Sequence, residues 1–275
     1  MNKASPPCRR SKSKENVVMN MYWSYYLKRI FSNKLKLVAA LLFFYFPLKD
    51  MSYIIRDVKI GGAAIYPFLA TFLPGTITNW GQRLLFWYLP LYLLLLVAED
   101  CIEDVKTGYK NILVTKWGKR RYVTHNFIKG FLISFMVLFS SLVLNLLMAE
   151  IAFHGGYVLG ASGMEVEKIP AMQAAYQSPM LTNCVYILMA CFLSGMVGLG
   201  AVSISMMLPN RFLAYPIVYF IWYIPSTFKR PIILAIQPFT EFWMSDALPA
   251  ILFVVGINIL AAIAAYLKVM KYDPV

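Results

Sequence analysis

Long apolar runs, separated by basic segments, constrain the fold of this chain more than any other feature. Residues 127–148 and 181–208 are almost continuously hydrophobic. A helix needs about 20 apolar residues to cross the hydrocarbon core of a bilayer. Only 14% of all residues are charged, whereas a soluble domain averages about 25%. We therefore expect an all-α polytopic membrane protein.

Six apolar runs are candidate spans, and we expect them to form one transmembrane domain over residues 37–275. The first run is interrupted by Pro47, Lys49 and Asp50 near its outer end. Two further segments, 60–77 and 229–246, contain several Pro or Gly residues and are interpreted as outer segments that enter the interface without crossing it. The expected spans are residues 37–55, 84–98, 127–148, 181–208, 212–228 and 248–267.

The distribution of basic residues predicts the orientation, because cytoplasmic segments near span ends carry excess Lys and Arg. With six spans, 19 of the 26 Lys and Arg residues lie on the side of the N-terminus, and seven lie on the other side. The inner set includes nine in residues 1–36 and six in residues 99–126. We therefore expect both termini and residues 99–126 in the cytoplasm, and the chain in the plasma membrane of a bacterium.

The N-terminus precedes the first span with two different kinds of sequence. Residues 1–16 are polar and basic and are expected to be disordered. Residues 17–36 combine regularly spaced aromatic and apolar side chains with Lys and Arg, which favours an amphipathic helix lying in the membrane interface. The alternative is that this segment is only the cytoplasmic start of the first span. The four cysteines show no CxxC spacing and predict no disulfide framework.

The loop between the second and third spans has an ordered internal pattern. Acidic residues at 99, 100, 103 and 104 are followed by Gly108, by the run Tyr109-Lys110-Asn111-Ile112-Leu113-Val114, and by a basic cluster that ends before Lys129. On charge alone, this loop could be a solvated anchor that only sets the topology.

This pattern resembles the membrane subunits of type-2 ATP-binding-cassette (ABC) exporters. In that family, acidic residues end the second span, and a short cytoplasmic coupling helix follows before a basic pair and a Lys that enters the third span. This sequence departs from the family in having Tyr109 after the Gly and no Pro after the aliphatic pair. The resemblance implies that residues 102–115 form one short helix docked on an ATPase. It also implies that the coupling residues are Ile102, Glu103, Asp104, Gly108, Asn111, Ile112 and Leu113.

The resemblance also implies a function for the whole chain. It predicts a permease that exports a hydrophobic or amphipathic substrate, such as an antimicrobial peptide, a lipid-linked glycan or a drug. Its expected partners are separate cytoplasmic nucleotide-binding ATPase subunits, membrane lipid and a second permease subunit, identical or related, and not nucleic acid. ATP and Mg²⁺ would bind the partner ATPase, and no cofactor or metal is expected in this chain.

Motifs of other functions are missing from the sequence. It has no G-x-x-x-x-G-K-[ST] phosphate loop, no HExxH and no nucleophile elbow, and its two His residues have no metal-ligand spacing. The chain is therefore not expected to be an enzyme. Two alternatives remain open: a membrane-embedded lipid-modifying enzyme, with catalytic residues in 99–126, and a sensor or scaffold subunit that transports nothing.

Two of the spans carry further signals. Ala190, Ser194 and Gly198 place small residues on one face of the fourth span, which favours close packing between helices of this chain over a dimer interface. Pro216 and Pro225 predict a kink in the fifth span.

Overall fold

The computed structural model describes residues 26, 28–61, 71, 74, 79–154 and 169–272, and every regular element within them is helical, as the sequence predicts. The chain divides into two compact units, Met1–Val38 and Ala39–Val275, and the helical bundle belongs to the second. The α-helices of the described residues are α1 (Lys34–Gly61), α2 (Trp80–Trp87), α3 (Leu89–Leu93), α4 (Glu99–Lys106), α5 (Tyr109–Trp117), α6 (Lys119–Ala152), α7 (Pro170–Gln177), α8 (Pro179–Met207), α9 (Arg211–Tyr223) and α10 (Leu248–Tyr272).

Four segments of the described residues are long and apolar enough to cross a membrane. The expected second span is a bent pair, because Trp80–Trp87 meets Leu89–Lys106 at 64°. The expected fifth span contains α9, whose 13 residues extend only about 20 Å, against about 30 Å for the hydrocarbon core. If the bent pair crosses the membrane as one span, the described residues contain five spans. The count of six therefore stays a prediction. The four segments are Lys34–Asp57, Lys119–Ala152, Pro179–Met207 and Met244–Lys271.

Helix α8 lies at the centre of the bundle, because 78% of its 18 most apolar consecutive residues are buried. Ala190, Ser194 and Gly198 are all buried within the chain, which confirms that this small-residue face packs intramolecularly. Gly198 lies against α6, where a Cβ added to it would be 2.4 Å from the carbonyl oxygen of Gly130. Only glycine allows the two backbones to approach so closely.

Proline does not end α1 at residue 47, although the sequence suggested an interruption there. Pro47 lacks the N–H that would bond to the carbonyl of Phe43, four residues earlier. The hydroxyl of Ser141 in α6 donates to that carbonyl instead, and the Asn145 amide donates to the Pro47 carbonyl at 3.2 Å. Side chains of a neighbouring helix can thus satisfy backbone groups where water is excluded.

At the bend between α2 and α3, a side chain of another helix again bonds to a carbonyl that a proline leaves without its helical donor. Pro90 lies in the first turn of α3, so it cannot donate to the carbonyl of Phe86. The indole Nε1 of Trp222 in α9 donates to this carbonyl at 2.8 Å, and the Trp222 side chain is buried. The bend is therefore held by a hydrogen bond from a helix distant in sequence.

Substituting Trp222→Phe should lower the thermal stability of the purified protein in detergent. The substitution keeps most of the ring but leaves the buried Phe86 carbonyl without this donor, which costs about 1–3 kcal/mol. The matched control is Trp87→Phe, since Trp87 is an exposed residue of the bent pair. Equal melting temperatures for the two variants would show that the hydrogen bond contributes nothing.

The segment between α9 and α10 packs against the bundle, and it contains no helix long enough to cross a membrane. It consists of short 3₁₀ turns at Ile224–Thr227, Ile232–Ala235 and Met244–Ala247. Ile232, and Ile236 just beyond the second turn, belong to the buried core that also contains side chains of α1, α2 and α8. Pro225 lies where α9 gives way to the first 3₁₀ turn, whereas Pro216 lies within the helix.

Some predictions lie outside the described residues. They are the segment 1–16 predicted to be disordered, half of the predicted amphipathic segment 17–36 and most of the predicted outer segment 60–77. Residues 28–32 are helical, and α1 begins two residues later at Lys34.

Candidate functional site

The acidic and basic loop forms a connector at one end of the bundle, which we define as residues 99–118. It consists of the two short helices α4 and α5, and α6 begins directly after it. A single helix over residues 102–115 was expected, and that prediction is wrong because a turn at Thr107 and Gly108 divides the segment. We define the polar end of the bundle as the connector together with residues 207–215 and 266–268.

Two glycines make the tight turns of the connector possible. Gly108 has φ +73° and Gly118 has φ +83°, a backbone conformation that strains residues with a Cβ. Both positions have free space for a Cβ, so glycine is required by the backbone and not by packing. The Gly108 N–H donates to the Val105 carbonyl at 3.2 Å, and the Gly118 N–H donates to the Val114 carbonyl at 2.8 Å.

Helix α5 has one buried and one exposed face. Leu113 and Val114 are 3% and 8% exposed, whereas Ile112 is 60% exposed. Asn111, Thr115 and Lys116 share the exposed face with Ile112. The sequence suggested Ile112 and Leu113 as paired contacts to a partner, but neighbouring residues of a helix differ by 100° in direction. Leu113 therefore holds α5 to the bundle, and Ile112 projects from it.

Helix α4 is rooted in the bundle by apolar and acidic side chains together. A π-helical turn, Leu94–Ala98, precedes it and changes the direction in which the following side chains project. Ile102 and Asp104, both expected to contact an ATPase, are buried within this chain. Glu103 is about one-third exposed. Of the seven predicted coupling residues, the structure thus exposes Gly108, Asn111 and Ile112, with Glu103 in part.

Asp100 and Lys129 form a buried ion pair between α4 and α6. The Nζ–Oδ2 distance is 3.3 Å, and both side chains are 1% exposed. Charged groups this deeply buried are stable only when they are paired, because removing an ion from water costs several kcal/mol. The pair therefore fixes the root of the connector to the beginning of the third expected span.

Glu99 joins α4 to α9 by two contacts. Its carboxylate forms an ion pair with Arg211 and accepts a hydrogen bond from the Tyr215 hydroxyl at 3.1 Å. Arg211 also lies 3.8 Å from the carboxylate of Glu103. Asn210 caps the N-terminus of α9, since its side chain accepts a hydrogen bond from the Phe212 N–H. The connector is thus tied to the start of α9 as well as to α6.

Further hydrogen bonds attach α10 to the polar end. The Arg120 side chain in α6 donates to the Tyr266 hydroxyl at 3.1 Å. Lys268 donates to the carbonyl of Met207, the last residue of α8, at 2.6 Å. Helices α4, α6, α8, α9 and α10 therefore all have polar contacts at this end.

The pairing of Asp100 with Lys129 was missed by the sequence interpretation, although a signal was present. A Lys within an apolar span needs a partner. The acidic residues at 99, 100, 103 and 104 end the preceding apolar run, at the same end of the bundle as the start of the run that contains Lys129. No comparable signal indicates Arg211, which reaches Glu99 because α8 packs against both α4 and α9.

The polar side chains of this end are arranged as structural contacts. Within the residues that the structure describes, no group of three or more His, Cys, Asp or Glu side chains could hold a metal ion. The described surface of the connector presents an isolated apolar side chain, Ile112, among polar and basic ones.

Comparison with known proteins gives one informative likeness. The "Uncharacterized protein YybM" of Bacillus subtilis (strain 168) is 30% identical over 252 residues, which cover 90% of this chain and 98% of that protein. No family model matches the sequence. No solved structure matches it either.

Proposed function

The chain belongs to the family of the Bacillus subtilis protein YybM, and we propose that it is the membrane permease of an ABC exporter driven by a separate cytoplasmic ATPase. The observation that carries this proposal is the connector. It projects Ile112 from a helix that is braced on its other side by buried contacts. Such a helix can receive a force from a soluble protein without being displaced from the bundle.

The contacts at the root of the connector support a route for that force. The Asp100–Lys129 pair would pass a movement of α4 to α6, and the Glu99–Arg211 pair would pass it to α9. The turns at Gly108 and Gly118 are short and hydrogen-bonded, so a displacement of α5 would move α4 and α6 and would not be absorbed between them.

The ATPase must be a separate chain in this proposal, since the sequence has no phosphate loop. Two permease subunits would enclose the translocation route, and ATP binding and hydrolysis would switch it between inward-facing and outward-facing. A hydrophobic or amphipathic substrate suits spans that are mostly apolar and aromatic. A lipid-modifying enzyme gains no support at the polar end, because the Asp100 and Glu99 carboxylates are paired with Lys129 and Arg211.

The proposal places the polar end in the cytoplasm. Cysteines introduced at Lys116 and Lys229, in a background without the four native cysteines, should react with a membrane-impermeant maleimide from opposite sides. Both positions are exposed and lie at opposite ends of the bundle. In intact cells Lys229→Cys should label and Lys116→Cys should not, whereas both should label after lysis. Labelling of both in intact cells would contradict the orientation.

The function itself is tested by purifying the tagged chain from membranes together with any ATPase that is encoded beside it. We expect a stable complex that hydrolyses ATP and, in vesicles, moves a hydrophobic or amphipathic substrate. The ATPase should carry the phosphate-loop motif that this chain lacks. Failure of every neighbouring ATPase to bind would remove the main support for the exporter.

A further inference from the structure

A cavity of about 380 Å³ lies at the end of the bundle opposite the polar end. It is formed between the bent pair, the end of α9 and the 3₁₀ turns that follow α9. Its volume is within the range of about 300–1,000 Å³ that is typical of small-molecule sites. Nothing in the proposed coupling mechanism uses it.

The walls of the cavity are mainly apolar and aromatic. Trp87, Trp222 and Tyr223 contribute aromatic rings, and Ile233 contributes an aliphatic side chain. Trp222 is held in place by its hydrogen bond to the Phe86 carbonyl. At least this wall is therefore preformed, which reduces the entropy lost when an apolar ligand binds.

Two hydroxyl groups in the cavity wall offer hydrogen-bond acceptors. They belong to Ser226 and Thr227. The Ser226 hydroxyl donates to the Trp222 carbonyl at 3.3 Å, and the Thr227 hydroxyl donates to the Ile224 carbonyl at 2.8 Å. A hydroxyl has one proton and two lone pairs, so each oxygen can accept a hydrogen bond from a ligand but has no proton left to donate. The complementary ligand group is therefore a donor, such as a hydroxyl.

The charges of the cavity wall favour a neutral ligand over a cation. The described lining residues include no Asp or Glu, and a cation against apolar walls loses its hydration without gaining a carboxylate. Arg83 also lines the cavity, and its guanidinium lies 5.3 Å from the ring centre of Trp80. A neutral ligand needs no ion pair with this side chain.

Exposed aromatic side chains lie in the cavity wall and beside it. Trp87, Tyr88, Phe220 and Tyr223 are each 39–56% exposed, and the rings of Tyr88, Tyr219 and Tyr223 stack in a row. Trp and Tyr are enriched where a protein meets the boundary between lipid and water. A ligand would therefore reach this cavity from the membrane surface, with its polar group at the level of the headgroups.

We propose that the cavity binds a neutral amphiphile with a single apolar chain and a hydroxyl-bearing headgroup, of which a monoacylglycerol is the simplest example. The headgroup hydroxyls donate to the oxygens of Ser226 and Thr227. The first part of the chain lies against Trp87, Trp222 and Ile233. Both parts of the ligand are required, because the two oxygens select a donor and the aromatic walls supply apolar contact.

Quenching of tryptophan fluorescence by a bromine-labelled lipid tests the proposal directly. The purified chain, in a detergent without hydroxyl groups, is titrated with a monoacylglycerol brominated on its acyl chain. The methyl ester of the same brominated acid, which has no hydroxyl, is titrated separately. Trp87 and Trp222 lie in the cavity wall, so bound bromine quenches them. We expect half-maximal quenching at a concentration of the monoacylglycerol about tenfold below that of the methyl ester.

Substitutions at the two hydroxyls separate the headgroup contact from the apolar contact. Ser226→Ala combined with Thr227→Val should raise the midpoint for the monoacylglycerol about tenfold and leave that for the methyl ester unchanged. The matched control is Ser140→Ala, since the Ser140 hydroxyl also donates to a backbone carbonyl three residues earlier but does not line the cavity. This control should have no effect.

A second variant tests the cavity without touching its hydroxyls. Ile233→Phe places a larger side chain in the wall and should raise the midpoints for both ligands. Unchanged midpoints in this variant would show that neither ligand occupies the cavity. Excess monoacylglycerol without bromine should restore the fluorescence of the parent protein. Its failure to do so would mean that the brominated lipid only enters the micelle, and would overturn the site.

Other headgroups and free glycerol distinguish the remaining sources of binding. Lysophosphatidic acid and lysophosphatidylcholine with the same brominated chain should bind no more tightly than the monoacylglycerol, and tighter binding of either would overturn the neutral headgroup. Free glycerol should not displace the lipid, since it has no chain, and displacement would overturn the amphiphile. Equal midpoints for the monoacylglycerol and the methyl ester would overturn the role of the hydroxyls. These measurements need no ATPase, so their outcome is independent of the proposed function.

Discussion

Replacing Ile112 by Asp is expected to weaken the proposed complex with an ATPase by about tenfold to a hundredfold. Ile112 projects from the bundle into solvent, and its full burial at an interface would contribute about 1.5–3 kcal/mol, where 1.4 kcal/mol corresponds to a factor of ten. An Asp at this position would also lose water without gaining a partner. Co-purification, ATP turnover and transport in vesicles measure the effect.

The matched control for this prediction is Ile60→Asp, which makes the same change at an exposed apolar residue near the end of α1. It should leave the ATPase complex intact. Leu113 is unsuitable for the test because it is buried within this chain, and its replacement by Asp would disturb the fold. If the Ile112→Asp variant bound its ATPase and transported normally, the connector would be only a topological anchor.

Breaking the Asp100–Lys129 pair should have the largest effect on stability. Lys129→Met leaves the Asp100 carboxylate buried without this lysine, and removing one member of a buried pair costs about 3–5 kcal/mol. For a chain of this size, the apparent melting temperature should fall by about 10 °C. Thermal unfolding in detergent, followed by circular dichroism, measures it.

The double variant Asp100→Leu with Lys129→Met supplies the control. Replacing a buried pair by apolar residues of similar size is often neutral or stabilising, so most of the lost stability should return. The double variant should nevertheless couple ATP hydrolysis to transport less well than the parent protein, since the charged link between α4 and α6 is gone. A double variant as unstable as Lys129→Met would show that the two side chains act independently.

The sequence interpretation was successful where a property depends on residues close together in the chain. The helical class follows from continuous apolar runs. The four long apolar helices include the predicted spans 37–55, 127–148 and 248–267, and all of 181–208 except its last residue. The intramolecular packing of Ala190, Ser194 and Gly198 follows from their spacing of four residues on one helix face. Such patterns involve residues of a single helix, so they can be read from a short stretch of sequence.

The interpretation failed where two distant segments decide the outcome. Pro90 in an apolar run could mean a kink, a break or the end of a helix. Trp222 decides it by satisfying the Phe86 carbonyl across the bend. Similarly, Pro47 was interpreted as an interruption, but Ser141 bonds to the Phe43 carbonyl, and α1 continues to Gly61.

The sequence by itself thus determined the helical class, the apolar segments and the position of the connector, because hydrophobic periodicity and glycine turns are local properties. The tertiary structure alone decided which face of α5 is exposed, that Ile112 projects while Leu113 and Asp104 are buried, and that Glu99 pairs with Arg211. These features depend on which helices become neighbours. That choice is made by the packing of α8 against both α4 and α9, and no short stretch of sequence records it.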